Sequence, residues 1–94
     1  MRLVYTTHLR LRLKLRLIPF NLPRIVVLQA DEFFLDRKTV TYIAVKRFAD
    51  SKEYMVSFVQ RENELLLITI HPLRFRQKAN RIVSKRWQRV KRKI

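Results

Sequence analysis

Hydrophobic and polar residues alternate near the start of the chain in a pattern that fits two kinds of element. Residues 9–17 alternate leucine with arginine or lysine, and this period of two is typical of a β-strand. Leucine, arginine and lysine also favour helices, and the two threonines just before the run can cap one. On a helix, Leu9, Leu13 and Leu17 would share one side. The residues alone leave strand and helix equally open.

A second, shorter helix is predicted directly after the leucine run. Pro19 ends the first element, because proline lacks the backbone donor that a helix or sheet needs. Asn21 followed by Pro23 is typical of a helix cap and first turn, and the helix should run to about Ala30.

The middle of the chain predicts an antiparallel meander of three to four strands. Four segments are rich in β-branched and aromatic residues and are separated by short polar turns: 33–35, 40–48, 54–60 and 65–71. The chain contains no glycine, so its turns must rely on Asp, Asn, Ser and Pro.

The pattern after the last predicted strand favours an amphipathic helix. Pro72 can occupy its first position. The apolar residues that follow have the i, i+4, i+7, i+8 spacing of a core-facing helix side: Phe75, Ala79, Ile82 and Val83. If the helix continues far enough, the opposite side carries a continuous basic ridge: Arg74, Lys78, Arg81, Lys85 and Arg89.

The charge is both large and unevenly distributed. A net charge of +15 arises from 22 Lys and Arg against seven Asp and Glu. All seven acidic residues lie within positions 31–64, so both ends of the chain are uncompensated cations. Such density repels itself unless polyanions are near, whereas mixed-sign surfaces suffice for solubility. We therefore expect nucleic acid, and RNA in particular, as the partner. The alternatives are a solvated charged face and an acidic partner protein.

The length of 94 residues predicts one domain over residues 1–90, followed by a basic tail at 91–94. The chain has no cysteine, no leader-like segment and no apolar run of about 18 residues. These features predict a soluble, cytoplasmic protein with no membrane partner.

Two histidines are the residues best suited to catalysis. His8 precedes the leucine run and His71 ends the last predicted strand, and imidazole titrates near neutrality. With Arg12 and Arg16 they supply the ingredients of metal-free RNA cleavage, in which a base activates the ribose 2′-hydroxyl and cations stabilise the phosphorane. A lone histidine is more often a cap or a partly buried polar group. No metal-ligand spacing or phosphate loop is present, so neither a metal nor a cofactor is predicted.

Aromatic rings among cations are a further feature typical of proteins that bind single-stranded RNA. The candidates for a base-stacking platform are Tyr5, Tyr42, Tyr54 and Trp87. Trp87 is the best placed of the four, although its phase with the apolar side of the predicted final helix makes burial an equal alternative.

The last third of the chain carries two motifs in succession, Ile68-Thr69-Ile70-His71-Pro72 and Asn80-Arg81-Ile82-Val83-Ser84-Lys85-Arg86-Trp87. Upstream of them stand a His-x-x-x-Arg segment at residues 8–12, a short second helix and the meander. This order resembles the RelE/ParE-like toxin superfamily, in particular its BrnT-like branch and related small domains of unknown function.

The resemblance implies a fold and an activity. The fold would be α+β, with two N-terminal helices, the leucine run included, packed on the antiparallel meander, and with a basic C-terminal helix. The activity would be that of a toxin-like RNA-binding domain, a metal-independent endoribonuclease that cuts RNA, including mRNA on the ribosome. Such a toxin would be neutralised by a separately encoded acidic antitoxin.

The resemblance also assigns residues. His8 and Arg12 match the helical motif, Lys46 and Arg47 stand where the strand often carries cations, and the terminal motif supplies His71, Arg81, Arg86 and Trp87. With the basic ridge and Arg16, the RNA-binding candidates are Arg12, Arg16, Lys46, Arg47, Arg74, Lys78, Arg81, Lys85, Arg86, Trp87 and Arg89, and the catalytic candidates are His8 and His71. One position departs from the family pattern, because Lys85 replaces a glycine that would permit a left-handed turn.

Three functions follow from these features. The first is a ribonuclease of the toxin type. The second is a noncatalytic RNA-binding or ribosome-associated basic protein that uses the same surface. The third is a DNA-binding accessory factor.

Overall fold

A computed structural model describes the whole chain, residues 1–94. It contains three helices and six strands, which follow one another as β1 (Arg2–Tyr5), α1 (Thr7–Leu15), α2 (Leu22–Leu28), β2 (Glu32–Asp36), β3 (Thr41–Arg47), β4 (Glu53–Arg61), β5 (Glu64–Pro72), α3 (Gln77–Val83) and β6 (Trp87–Arg89). None of the helices is long and apolar enough to cross a bilayer.

The strands form one mixed sheet in the order β1-β5-β4-β3-β2-β6. Strands β2 to β5 make the antiparallel meander, whereas β1 lies parallel to β5 and β6 lies antiparallel to β2. The predicted fold of two helices on a meander of three to four strands was therefore wrong. It lacked both edge strands and the parallel pairing, since each edge strand is only three or four residues long and is specified by its distant partner.

The leucine run forms helix α1, as the resemblance implied. Thr6 caps the helix, because its side-chain oxygen accepts the Leu9 backbone N–H at 3.2 Å. Leu9 and Leu13 are buried, and they hold the helix against the sheet. Leu17 does not share their side as predicted: it lies beyond the helix in a left-handed conformation and is exposed.

Helices α1 and α2 cover one face of the sheet and bury the larger core. This core contains Leu9, Leu13, Val26, Val27, Ala30, Phe33, Ala44, Val56, Phe58, Leu65, Leu67 and Ile70. The opposite face carries a smaller buried cluster made of Phe34, Ile43, Val45, Met55 and Trp87, with Leu73 and Ile82 packed against it. The second face is thus only partly covered, and its uncovered part is the candidate site.

The C-terminal helix is much shorter than predicted. Helix α3 ends at Val83, and left-handed residues stand on both sides of it, Arg76 at φ 63° and Lys85 at φ 64°. Phe75 and Val83, predicted to face the core, are 90% and 81% exposed. The helix does not continue through Lys85, so the predicted continuous basic ridge does not exist.

The residues of the predicted tail contact the body of the protein. The Arg92 guanidinium donates to the backbone oxygens of Ala30 and Leu28 at 3.0 and 2.8 Å. Lys93 lies over the Tyr42 ring at 4.4 Å, and Ile94 packs against the larger core.

Candidate functional site

A groove of about 490 Å³ lies on the uncovered part of the second sheet face. Its floor comes from β3, β4 and β5, and its walls come from the end of α1, the segment around α3 and the start of β6. The lining residues are Arg16, Asp36, Thr39, Thr41, Ile43, Met55, Ser57, Ile68, Thr69, His71, Pro72, Arg74, Gln77, Arg81, Arg86 and Trp87. The groove therefore brings together six of the sequence-predicted residues, which are His71, Arg16, Arg74, Arg81, Arg86 and Trp87.

His71 occupies the floor of the groove at the end of β5. It pairs across the sheet with Met55, and alternation along β5 points its side chain away from the main core. The imidazole is half-buried, and burial lowers its pKa below the usual 6.5. The positive charges of Arg12 and Arg16 and the nearby His8 lower that pKa further. All of these effects favour the neutral imidazole, which is the form that can accept a proton.

Helix α1 supplies the cations beside His71. His8, Arg12 and Arg16 are spaced by four residues, so they follow one side of the helix towards its C-terminal end. Arg16 lines the groove directly, whereas His8 and Arg12 stand outside its lining. The predicted pair of catalytic histidines is thus divided: the imidazole of His71 lies in the groove, and that of His8 lies outside its lining.

Three arginines of the groove carry charge that no carboxylate neutralises. Arg16, Arg74 and Arg81 come from the end of α1, the segment after β5 and helix α3, and none of them is in an ion pair. Converging guanidinium groups of this kind suit the oxygens of a phosphodiester. The groove therefore carries uncompensated positive charge.

Asp36 is the one acidic residue of the groove, and it serves to hold the wall in place. The Arg86 guanidinium donates to both of its carboxylate oxygens at 3.0 to 3.2 Å, and the indole N–H of Trp87 donates at 3.2 Å. The backbone N–H groups of Lys38 and Thr39 complete the set. Burial raises the pKa of Asp36, but the hydrogen bonds, that of Arg86 foremost, outweigh burial and bring it to about 2.

Hydroxyl groups form a second part of the groove that the sequence prediction missed. Ser57 and Thr69 are cross-strand partners on β4 and β5, and their hydroxyl oxygens lie 3.5 Å apart. Thr39 and Thr41 share a hydrogen bond of 2.8 Å at the opposite side. The available signal was the phase of these residues, because Ser57 and Thr69 are polar positions within otherwise apolar strands, and a polar floor on a sheet indicates an open face.

Several predicted cations bind carboxylates elsewhere on the surface. Lys78 donates to Glu32 at 2.6 Å and to Glu53 at 2.7 Å, and Arg89 donates to Glu32 at 2.6 Å. Arg47 lies 3.8 Å from Glu53. Lys78, Arg89 and Arg47 thus form a cluster with the carboxylates, outside the groove.

The other predicted residues fall into two groups. Lys46 and Lys85 are outside the groove lining and have no acidic partner, and Lys46 lies over the Phe48 ring at 5.2 Å. Trp87 is buried against Phe34 with ring centroids 5.3 Å apart, so its faces are occupied. Stacking a base on Trp87 would require this cluster to open.

No protein-family model, curated protein or solved structure matches the chain. The RelE-like resemblance therefore rests on the sequence motifs alone.

Proposed function

We propose that this protein binds RNA by its phosphate backbone in the groove and cleaves it without a metal, with His71 as the general base. The observation that carries the proposal is the placement of a half-buried imidazole with a lowered pKa among three arginines that have no acidic partner. A neutral base and uncompensated cations are two of the components that promote transfer of a phosphoryl group to the ribose 2′-oxygen.

The reaction needs no reactant other than RNA and water. The His71 imidazole takes the proton of the 2′-hydroxyl, and the 2′-oxygen forms a bond to the adjacent phosphorus. The bond from phosphorus to the 5′-oxygen breaks, and that oxygen leaves with a proton from water or from the imidazolium. Arg16, Arg74 and Arg81 stabilise the additional negative charge of the phosphorane. The products are a 2′,3′-cyclic phosphate and a 5′-hydroxyl.

Cleavage is tested with purified protein on single-stranded RNA, and on mRNA with ribosomes. His71→Ala should slow cleavage about 100-fold or more, because a positioned general base contributes on the order of 10²- to 10⁴-fold. Arg61 is an exposed cation at the end of β4, outside the groove lining, so Arg61→Ala is the matched control and should leave the rate unchanged. The proposal also requires that a 2′-deoxy substitution at the cleaved nucleotide blocks the reaction. Intact RNA in both assays would refute cleavage.

The pKa of His71 can be measured independently of cleavage, and it tests whether the neighbouring arginines act on the imidazole. In the free protein, the imidazole should titrate below pH 6.5, and the neutral base should therefore persist into mildly acidic solution. Arg16→Gln removes one of the charges that lower this pKa, so the titration should move upward in a proton NMR experiment. Added inorganic phosphate, if it enters the groove, should move it in the same direction.

Binding without cleavage is the second candidate function, and one observation favours it. His71 is the only imidazole that lines the groove, so no second imidazole is in place to protonate the leaving oxygen. In this case affinity for RNA should fall steeply with salt. Replacing Arg16, Arg74 and Arg81 together by glutamine should reduce the slope of log K against log salt by about 2, at roughly 0.7 per phosphate contact on a single strand. Tighter binding to duplex DNA would favour the DNA-binding function.

An acidic antitoxin and association with the ribosome stay predictions that derive from the resemblance. An acidic partner that enters the groove should compete with RNA for Arg16, Arg74 and Arg81. Copurification of the protein with the product of a neighbouring small acidic reading frame would test the first, and sedimentation with ribosomes would test the second.

A further inference from the structure

Phe75 is exposed in a way that the fold does not explain. Its side chain is 90% accessible, and it belongs to neither of the two buried clusters. A large aromatic ring in water gives up the apolar burial that would stabilise the fold. The exposed ring therefore contributes little to stability in the free protein.

The backbone around Phe75 is held firmly on both sides. The Leu73 N–H donates to the Glu53 carbonyl at 2.8 Å. The Arg74 N–H donates to the Gln77 side chain, and the Gln77 N–H donates back to the Arg74 carbonyl, each at 3.0 Å. Phe75 is thus presented at the tip of a closed turn, and little ordering remains to oppose the binding of a ligand on its ring.

The surroundings of the ring select the chemistry of such a ligand. Arg74 lines the groove and Arg76 lies over the Phe75 ring at 5.4 Å, and neither arginine has a carboxylate partner. An exposed ring between two free cations, next to a positively charged groove, is the arrangement by which proteins hold single strands: cations bind phosphates while the ring stacks on a base.

We propose that Phe75 is a stacking platform for an unpaired base of the RNA whose backbone occupies the groove. The inference rests on the proposed RNA-binding function and adds a substrate class, which is single-stranded RNA with at least one unstacked base. Stacking tolerates every base, because each has a π face, so Phe75 confers strand selectivity without sequence selectivity.

The test measures binding of a short single-stranded RNA made uncleavable by 2′-O-methyl groups, and of the same oligonucleotide with abasic positions. Phe75→Ala should weaken binding of the complete RNA by about 5- to 150-fold, the range expected for loss of one stacked base. It should leave binding of the abasic RNA nearly unchanged. Val83→Ala, which truncates another highly exposed apolar side chain, on α3, is the matched control and should have no effect on either RNA.

A gain of signal complements this loss. Trp87 is the sole tryptophan and is buried, so Phe75→Trp adds a single exposed indole. Its fluorescence should be quenched by single-stranded RNA and not by duplex RNA or inorganic polyphosphate, and the affinity of the wild-type protein should be retained. If Phe75→Ala weakens binding of the complete and the abasic RNA equally, or weakens neither, the stacking role of Phe75 is refuted while the proposed RNA binding is not. Absence of RNA binding by the wild-type protein at low salt overturns both proposals.

Discussion

The Asp36 carboxylate is the best place to test how the groove wall is held, because a single atom can be changed there. Asp36→Asn keeps the shape of the side chain and removes its charge. The carboxylate is 3% exposed and accepts from Arg86, from the Trp87 indole and from two backbone N–H groups. An amide has one acceptor oxygen, and its NH₂ group would face donors.

The size of the effect follows from the pKa. A carboxyl that titrates near 3.8 when unfolded and at about 2 when folded contributes about 2.5 kcal/mol to the free energy of unfolding at pH 7. The folded pKa is the lower one, so this contribution is present above pH 3.8 and is lost as the pH falls towards 2. About half of it should remain at pH 3. With the additional cost of donors left facing one another, Asp36→Asn should destabilise the protein by about 3 kcal/mol at pH 7.

Urea unfolding provides the assay, followed by far-UV circular dichroism and by the fluorescence of Trp87. The matched control is Asp50→Asn, since Asp50 pairs with Lys52 at 4.0 Å with both side chains exposed. That control should change stability by less than about 0.5 kcal/mol. The difference in free energy of unfolding between wild type and Asp36→Asn should be about 1 kcal/mol smaller at pH 3 than at pH 7. A loss no larger than that of the control, or a gap that does not change with pH, would refute the reasoning.

Two further substitutions test the surface of the fold. Val40 is β-branched, 74% exposed and left-handed at φ 57°, so Val40→Gly should stabilise the protein by about 0.5 to 1 kcal/mol. Val83→Gly in helix α3 should instead destabilise it by a similar amount. Urea midpoints that move in the same direction for both variants would contradict this. Lys78→Met removes the cation that Glu32 and Glu53 share and leaves two carboxylates with only their outer partners, Arg89 and Arg47. It should cost about 2 kcal/mol at pH 7, against less than about 0.5 kcal/mol for Lys52→Met. Burial lowers the pKa of Lys78, but its two carboxylate partners outweigh burial and raise it, so this contribution is present below pH 10.5 and should disappear as the pH rises through the raised value.

The sequence predicted those elements whose signal is local. Segments rich in β-branched and aromatic residues between polar turns identified the four central strands, and Asn21 with Pro23 marked helix α2. The leucine run could not be assigned from its pattern, because both periods fit it equally. The edge strands were missed because residues 2–5 and 87–89 become strands through pairing with β5 and β2, which are far away in the chain.

The C-terminal helix was predicted too long because the sequence does not mark the left-handed turns on either side of it. Residues 75–83 have helical spacing, but the backbone turns into the left-handed region at Arg76 and again at Lys85. Glycine or asparagine normally marks such turns, and here neither does. The prediction of site residues had a similar limit, since composition identifies cations but cannot show that Arg86 pairs with Asp36 while Arg81 is unpaired.

Both edges of the sheet bear on the order in which the molecule is assembled. Arg2 of β1 pairs with Glu64, 62 residues later, and Trp87 of β6 pairs with Asp36, 51 residues earlier. Closing such long loops has an entropic cost that local elements do not carry, so helices α1 and α2 and the central hairpins can form first. We expect the wall around Trp87 to dock late, and a chain still being synthesised would lack it. The positively charged groove then exists only once residues 87–89 are in place, and a nascent chain that lacks them would not yet have it.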